Sequence, residues 1–394
     1  MPPETSDEIR KTVHDHLTWW GLRHFTSDDA YFAWQRQTFS PENIATLHQA
    51  AERKRQAGPD ADIAFYDLTA QPQLIPALYS QRYEYYQRIG ALIAALIAPA
   101  ETILDFGCGI GILTTYYARH HPNRSFLGLD RSGHSIDIAR QWAAKLGLTN
   151  VRFECHDLDA EPFSGRYDLI IATHALLQAE QELGVPSHSW RTFDREADDA
   201  QQRAFEERTG LRPRLDRLGA MLNQTGRLTT FEKTRLLSRR IPFQRALAAR
   251  GLSLAAAPVP IRYALVEEVV EDGPLYVLGR QASSVNWDES PEPDEAPPLD
   301  ITALARQEGR GEEPLYENHH ASAQRAWQQL PERTIAKETT REERNGRQLH
   351  AELGTSCGLV YLYVANTFDQ RQLVIVEPAR RTMLEAYYRE IIQD

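Results

Sequence analysis

Apolar runs alternate with amphipathic segments from residue 101 to residue 282. The apolar runs predict seven strands, and the amphipathic segments predict helices between them. Such alternation is typical of a mostly parallel sheet covered by helices on both faces. The predicted strands are Thr102–Phe106, Ser125–Asp130, Val151–His156, Tyr167–Thr173, Gly226–Phe231, Ile261–Val270 and Leu275–Gly279. The predicted helices are Ile112–His121, His134–Leu146, Arg214–Leu222 and Phe243–Arg250.

Residues 1–98 combine helix signals with many large aromatic side chains, and they predict an N-terminal helical cap. Tyr79, Tyr83 and Tyr86 would share one helical face. A stripe of this kind is more typical of a packed core than of a substrate pocket, although the two can coexist. The helix signals are a capping box at Thr5 and Glu8, a helix start at Ser40-Pro41 and a helix end at Gly58.

Three segments lie outside the regular alternation. A polar insert, residues 178–213, follows the fourth predicted strand, where it would lie over the carboxyl edge of the sheet. Residues 283–300 are acidic and rich in proline, so we expect a linker that does not pack. Residues 301–394 predict a small α+β domain. Its elements would be a helix at Ala321–Leu330, a hairpin of Leu359–Val364 with Gln372–Val376, and a closing helix at Arg380–Ile392.

The first predicted strand stops at a cluster of glycines and leads into a helix. Gly107, Gly109 and Gly111 permit a tight turn and the close approach of a ligand. Roughly twenty residues later the second strand ends at Asp130, whose carboxylate can accept hydrogen bonds from ribose hydroxyls. The pattern predicts a nucleotide-type cofactor site. Position 112 is isoleucine, so the third glycine of the dinucleotide fingerprint is missing, which weakens a nicotinamide or flavin interpretation.

In this order and spacing, residues 101–178 resemble the cofactor half of the class I S-adenosylmethionine-dependent methyltransferases. The resemblance implies that the segment from Leu104 to Gly111 holds the methionine end of the cofactor. It also implies that Asp130 binds both ribose hydroxyls and that Asp157, with the backbone of Leu158, lies at the adenine. Asp159 competes with Asp157 for that role. The expected cofactor contacts are Asp105, Gly107, Cys108, Gly109, Gly111, Asp130, Arg131, Asp157, Leu158 and Thr173.

The resemblance implies a seven-stranded Rossmann-like methyltransferase sheet with helices on both faces, to which the residue patterns add an N-terminal helical cap and a small α+β C-terminal domain. The corresponding boundaries are a cap over residues 1–98, a cofactor-binding domain over residues 99–282, a linker over residues 283–300 and a C-terminal domain over residues 301–394. We expect Asp168 to serve the sheet structurally and Cys108 to fill a small buried space.

A sulfonium methyl group is already activated, so the protein has mainly to align the acceptor and exclude water. A base is needed only if the acceptor arrives protonated. His174, just past the fourth strand, is the candidate base by its location. A histidine there could instead cap the next helix or pack under the substrate.

The absence of certain motifs limits the classes of methyl acceptor to be expected. Thr173-His174-Ala175-Leu176 stands where related enzymes for adenine or glutamine carry an Asn-Pro-Pro-Tyr-like run, and no Pro-Cys nucleophile follows. With a formal net charge of −11, this argues against nucleic acid. We predict methyl transfer to a small, partly apolar molecule. The alternatives are a peptide or protein acceptor docked by the C-terminal domain, a module that binds the cofactor without turnover, and a dehydrogenase.

Composition also indicates the cellular compartment in which the protein is expected. Three cysteines lie far apart without metal-ligand spacing, which fits a reducing compartment and predicts no metal centre. The N-terminus lacks a signal sequence, and the longest apolar stretch, Ile89 to Ala98, is too short to span a bilayer. We therefore expect a cytoplasmic protein that contacts no membrane. Homo-oligomerisation is left open.

Overall fold

The computed structural model describes residues 6–56, 59–177, 184–291, 293–294, 296–306, 313–343 and 346–393. The predictions at Thr5 and Gly58, and the first six residues of the predicted insert, lie outside the described residues. The chain divides into two compact units. The first comprises Met1–Glu182, Glu206–Arg235 and Gln244–Trp287, and the second comprises Leu183–Phe205, Leu236–Phe243 and Asp288–Asp394.

The N-terminal part of the first unit is helical, as predicted. Its third helix begins at Pro41, and the Asn43 backbone N–H donates to Ser40 Oγ at 3.2 Å, which confirms the predicted helix start. Among the described residues, no helix is long and apolar enough to cross a membrane. The helices are α1 Ser6–Trp19, α2 Asp28–Thr38, α3 Pro41–Gln56, α4 Pro59–Thr69, α5 Ile75–Ser80 and α6 Tyr83–Ile97.

A mixed sheet forms the centre of the first unit. Seven strands follow the order β3-β2-β1-β4-β5-β8-β6, and β7 pairs with β8 beside them. Strands β1 to β5 run parallel, whereas β8 is antiparallel to β5. This arrangement confirms the predicted fold class. The strands are β1 Thr102–Phe106, β2 Ser125–Asp130, β3 Val151–Cys155, β4 Tyr167–Thr173, β5 Leu222–Phe231, β6 Ser253–Leu254, β7 Val259–Leu265 and β8 Glu268–Gly279.

Helices α7 and α8 begin within one residue of their predicted positions, whereas α10 and α11 begin three and six residues earlier than predicted. Helix α9 lies in the insert, where no helix was predicted. Helices α7 and α8 pack against β2 and β3, and α6 packs against α7. Their apolar faces and the strands share one buried cluster, so the helical cap and the sheet have a common core. The helices are α7 Ile112–His120, α8 Gly133–Lys145, α9 Asp199–Arg208, α10 Leu211–Met221 and α11 Leu237–Ala248.

The prediction of one strand over Ile261–Val270 is wrong. The chain turns between β7 and β8, where Val266 takes a φ of 61°, and β8 then runs without a break to Gly279. The turn carries none of the glycine, proline, asparagine or aspartate residues that mark turns in a sequence. Gly273-Pro274, which falls between the two predicted strands Ile261–Val270 and Leu275–Gly279, lies inside β8.

Asp168 ties the amino ends of β1 and β4 together, as its predicted structural role requires. Its Oδ2 accepts hydrogen bonds from the backbone N–H groups of Glu101 and Thr102, at 3.1 and 3.0 Å. Its Oδ1 accepts from Asn223 Nδ2 at 2.7 Å. These donors lower the pKa of Asp168 despite the opposing effect of burial.

The second unit contains an antiparallel sheet in the order β10-β11-β12-β13-β9. Strand β12 is buried at every position, because alternate side chains pack into two clusters, one with α13 and one with α14. The predicted hairpin and both predicted helices are confirmed. The elements are α12 Ile301–Leu304, β9 Tyr316–Asn318, α13 Ser322–Gln328, β10 Thr334–Glu342, β11 Gln348–Ser356, β12 Leu359–Asn366, β13 Arg371–Val376 and α14 Arg381–Gln393.

The expectation that residues 283–300 do not pack is wrong. The Asp294 carboxylate accepts hydrogen bonds from the N–H and the hydroxyl of Ser322, at 2.9 and 2.7 Å. The Pro297 carbonyl accepts from the Tyr316 hydroxyl at 3.1 Å. Asp294, one of the acidic residues that suggested a solvated linker, therefore serves as a hydrogen-bond acceptor for the first turn of α13.

Candidate active site

A cavity of about 970 Å³ lies at the carboxyl edge of the first unit's sheet. Parallel strands end on the same edge, so residues that follow β1, β2, β3 and β4 meet there. The N-terminal helices supply a further wall, which is rich in tyrosine. The cavity wall includes Gly107, Gly109, Asp130, Asp157 and His174 from the sheet edge, and Tyr79, Arg82 and Tyr85 from the helices.

The glycine turn after β1 is attached to the end of β2. The N–H groups of Gly107 and Cys108 both donate to the Leu129 carbonyl, at 2.8 and 3.1 Å. Gly107 has a φ of 73°, and a Cβ there would lie 2.5 Å from the Cβ of Ala175. Gly109 has a φ of 54°, but a Cβ there would meet nothing within 4 Å. Gly107 is therefore needed for packing, whereas Gly109 faces space that a ligand can occupy.

Asp130 closes this turn from the end of β2. Its Oδ2 accepts from the Gly109 N–H and its Oδ1 from the Ser132 N–H, both at 2.9 Å. Burial raises the pKa of Asp130, and these two donors oppose the rise. The side chain also lines the cavity, so its carboxylate can accept hydrogen bonds from a ligand.

Asp105 lies inside β1 below the turn. It accepts a hydrogen bond from the Thr114 hydroxyl at 2.5 Å. Burial raises its pKa to about 7. When protonated, Asp105 can donate a hydrogen bond to a ligand as well as accept one. An ionised carboxylate such as Asp130 can only accept.

The structure separates the two acids after β3. Both Asp157 and Asp159 line the cavity, but Arg214 forms an ion pair with Asp159. Asp157 instead holds its own turn, with Oδ1 accepting from the Asp159 N–H at 2.8 Å. Since Arg214 occupies Asp159, Asp157 is the acid that can take a further donor.

Nine of the ten expected cofactor contacts lie in the cavity wall. Gly111 does not. A Cβ on Gly111 would lie 2.9 Å from the Cβ of Ala139 and 3.0 Å from the ring of Phe153. This glycine lets α7 pack closely against α8 and β3, and its expected cofactor contact stays a prediction. The nine are Asp105, Gly107, Cys108, Gly109, Asp130, Arg131, Asp157, Leu158 and Thr173.

His174 follows β4 and has a polar neighbour at each ring nitrogen, although only Nδ1 meets hydrogen-bond geometry. Its ring stacks between Tyr85 and Phe231, with centroid distances of 5.2 and 5.1 Å. A guanidinium nitrogen of Arg82 lies 2.7 Å from Nδ1, and Asp272 Oδ2 lies 3.1 Å from Nε2. Burial lowers the pKa of His174 to about 4. Because arginine can only donate, Nδ1 accepts and the proton of the neutral ring sits on Nε2.

Residues 103–185 match a family model described as a methyltransferase domain. The chain is 30% identical to a malonyl-[acyl-carrier protein] O-methyltransferase of Anoxybacillus flavithermus, over 25% of this chain and 40% of the relative. It is 35% identical to a probable (S)-tetrahydroprotoberberine N-methyltransferase 2 of Papaver bracteatum, over 20% of this chain and 22% of the relative. The chain thus spans less than half the length of these curated relatives. It contains a class I S-adenosylmethionine-dependent methyltransferase domain.

One of the solved structures similar to part of this chain is that of another methyltransferase. The N-methyltransferase NodS of Bradyrhizobium japonicum, in complex with S-adenosyl-L-homocysteine, is 15% identical. The alignment covers 49% of this chain and 86% of that one, with a TM-score of 0.33.

A buried acid organises the segment after β4 of the methyltransferase domain. Glu232 Oε1 accepts from the N–H groups of Ala175 and Leu176, at 2.9 and 2.8 Å. Arg214 donates to the Leu176 carbonyl at 3.0 Å. Burial raises the pKa of Glu232 to about 7, against the effect of its backbone donors. These contacts fix the backbone that carries His174 into the cavity.

Sequence analysis missed several residues of this wall. Arg82, Tyr85, Glu232, Tyr263 and Asp272 come from four separate segments of the chain. The available signals were a run of tyrosines in the first turn of α6 and a glutamate directly after β5. The expected tyrosine stripe divides, because Tyr79 and Tyr86 line the cavity whereas the Tyr83 hydroxyl bonds to His14 Nδ1 at 2.7 Å.

The second unit groups three metal-ligand side chains, Glu338, His350 and Glu352, whose ligand atoms lie within 4.8 Å of one another. Glu352 already accepts hydrogen bonds from Trp327 Nε1 at 2.9 Å and from the Tyr361 hydroxyl at 2.6 Å. A hydrogen-bonded network accounts for this group, and the expectation of no metal centre stays a prediction.

The His174 ring should remain neutral across the physiological range. We predict that its nitrogen resonances titrate with a pKa of about 4, with Nε2 protonated above that pH. The measurement is a pH series of ¹⁵N-imidazole NMR spectra, with His174→Gln used to assign the signals. The exposed His134 serves as a matched reference in the same spectra. A His174 pKa at or above the ordinary value of about 6.5 would contradict the geometry.

Proposed function

We propose that this protein transfers the methyl group of S-adenosylmethionine to a small, partly apolar acceptor by in-line displacement. The observation that carries the proposal is one cavity in which a ligand-facing glycine turn and the Asp130 carboxylate adjoin a wall of aromatic rings. A volume of about 970 Å³ is enough for a nucleoside cofactor together with a small second molecule.

The residues present fit the cofactor. The space beside Gly109 is open, so a ligand can approach the backbone there. Asp130 and Asp157 offer carboxylate oxygens at the ends of two strands. We propose that Asp130 accepts from the ribose hydroxyls and that Asp157, with the Leu158 backbone, meets the adenine edge. The methionine end would lie against the remaining cavity residues of the expected set, namely Asp105, Gly107, Cys108, Gly109, Arg131 and Thr173.

When bound, the sulfonium centre supplies a methyl group that needs no further activation. The chain's own residues then have to hold the acceptor in line and keep water away from it, which can contribute several kcal/mol. Tyr79, Tyr85 and Tyr86 provide apolar surface for this purpose, and all three line the cavity.

We propose that His174 is a positioning residue. Both of its nitrogens already have neighbours, and its Nδ1 lone pair accepts from Arg82. A base role for His174, the prediction from the sequence, would require Arg82 to move away first. We also propose, on composition and charge, a cytoplasmic protein without nucleic-acid or membrane partners.

Cofactor binding is tested at Gly109. We predict that Gly109→Ala weakens binding of S-adenosylhomocysteine by about tenfold or more, because the added methyl group fills ligand space. Gly147→Ala is the matched control: it has a similar φ of 67° and nothing within 4 Å of its Cβ. Titration calorimetry of wild type and both variants makes the measurement. Equal effects of the two substitutions would show that backbone strain alone is responsible.

The acceptor class is tested by the fate of the methyl group. Purified protein, tritiated S-adenosylmethionine and a cell extract separated by size should give label in the small-molecule fraction. Label confined to the protein fraction would support the peptide or protein alternative instead. Tight cofactor binding with no transfer in either fraction would support a binding module without turnover.

A further inference from the structure

Arg82 places a guanidinium in the cavity wall, directly before the first residue of α6. The Arg82 side chain is half-buried, and its exposed part faces the cavity. Its position is fixed: one nitrogen lies 2.7 Å from His174 Nδ1, and its carbon centre lies 4.8 Å above the Tyr85 ring. A flexible side chain is thus held in one place.

The guanidinium has no direct carboxylate partner in the part of the chain that the structure describes. Its charged and polar neighbours are the hydroxyl-bearing rings of Tyr66, Tyr85, Tyr86 and Tyr263. Asp272 does not contact the guanidinium directly: His174 and Tyr263 lie between them, and Asp272 accepts a hydrogen bond from Tyr263. A cation taken out of water without a counter-charge is costly, so this arrangement favours a ligand that brings an anion.

Arg82 shares the cavity wall with four other cations, Arg131, Arg208, Arg214 and Lys233, and with several acids. Asp105, Asp130, Asp157 and Glu232 give the cavity many acidic groups, which would repel a negatively charged ligand. Arg214, another cation in the wall, is already paired with Asp159.

Arg82 also has the right shape. A guanidinium carries five N–H donors in a planar fork, of which His174 takes one. The fork matches the two oxygens of a carboxylate. Because His174 is neutral, it orients Arg82 without cancelling its charge, and Asp272 lies 3.1 Å from the far side of the ring.

We propose that Arg82 is a carboxylate-binding residue of this cavity, oriented by His174 and Asp272. The inference rests on the proposed function, since it assumes that the cavity binds the cofactor and an acceptor. Two ligands could present the carboxylate: the methionine end of the cofactor, or an acceptor that is itself an organic acid. Both use the same contact.

The first arm of the test compares S-adenosylhomocysteine with 5′-methylthioadenosine, which has the same nucleoside thioether but lacks the amino-acid carboxylate. If Arg82 binds the cofactor carboxylate, Arg82→Gln weakens binding of the first compound about tenfold or more and leaves the second almost unchanged. Arg88→Gln is the matched control, because Arg88 lies on the same helix but is exposed and pairs with Glu84 at 3.6 Å.

The second arm uses protein saturated with S-adenosylhomocysteine. Benzoate, phenylacetate and 3-phenylpropionate are each compared with the corresponding amide by calorimetry. If Arg82 binds an acceptor carboxylate, wild type and Arg88→Gln bind the acids more tightly than the amides by about tenfold, and Arg82→Gln loses that difference. Arg82→Lys should recover only part of it, since lysine keeps the charge but not the fork.

The inference is overturned if Arg82→Gln keeps both wild-type affinity ratios, that of S-adenosylhomocysteine to 5′-methylthioadenosine and that of each acid to its amide. It is also overturned if Arg82→Gln loses binding of 5′-methylthioadenosine to the same extent as S-adenosylhomocysteine, since that pattern means a structural role. Failure of the proposed function looks different: wild type and Arg88→Gln would then bind neither nucleoside.

Discussion

The carboxylate of Asp130 holds the glycine turn to the end of β2, and the cofactor side of the cavity depends on that attachment. Its two oxygens accept from the N–H groups of Gly109 and Ser132, while the Leu129 carbonyl accepts from Gly107 and Cys108. The turn is thereby fixed with the open side of Gly109 facing the cavity. The same carboxylate has the raised pKa of a buried acid, so a ligand that donates to it relieves part of the cost of burial.

A second set of contacts fixes the segment after β4. Glu232 receives its backbone N–H groups, and Asp272, His174 and Arg82 form a line of polar contacts that ends at the cavity. Burial raises the pKa of Glu232 to about 7 against the effect of its backbone donors, and it lowers the pKa of His174 to about 4. The His174 ring is therefore neutral where it accepts from Arg82.

Local sequence patterns predicted the parts of the fold and site that are local in the chain. Apolar runs ending in glycine or aspartate marked β1 and β2 with their observed bounds, and the acids at their ends proved to line the cavity. The β7–β8 turn was missed because Val266 carries no turn signal. Arg82 and Asp272 were missed for another reason: 92 positions separate Arg82 from His174, and only tertiary packing brings them together. The ion pair that distinguishes Asp159 from Asp157 likewise depends on Arg214, a residue distant in the chain.

We propose above all that the edge of the sheet at Gly107 to Gly109 and Asp130 binds an adenosyl sulfonium compound. The most direct measurement is a crystal structure with S-adenosylhomocysteine bound. The account predicts electron density for the ribose hydroxyls at the Asp130 carboxylate, for the adenine beside Asp157 and Leu158, and for the sulfur facing the wall that carries His174. A ligand that occupies the cavity with its ribose away from Asp130, or that binds outside this cavity, would contradict it.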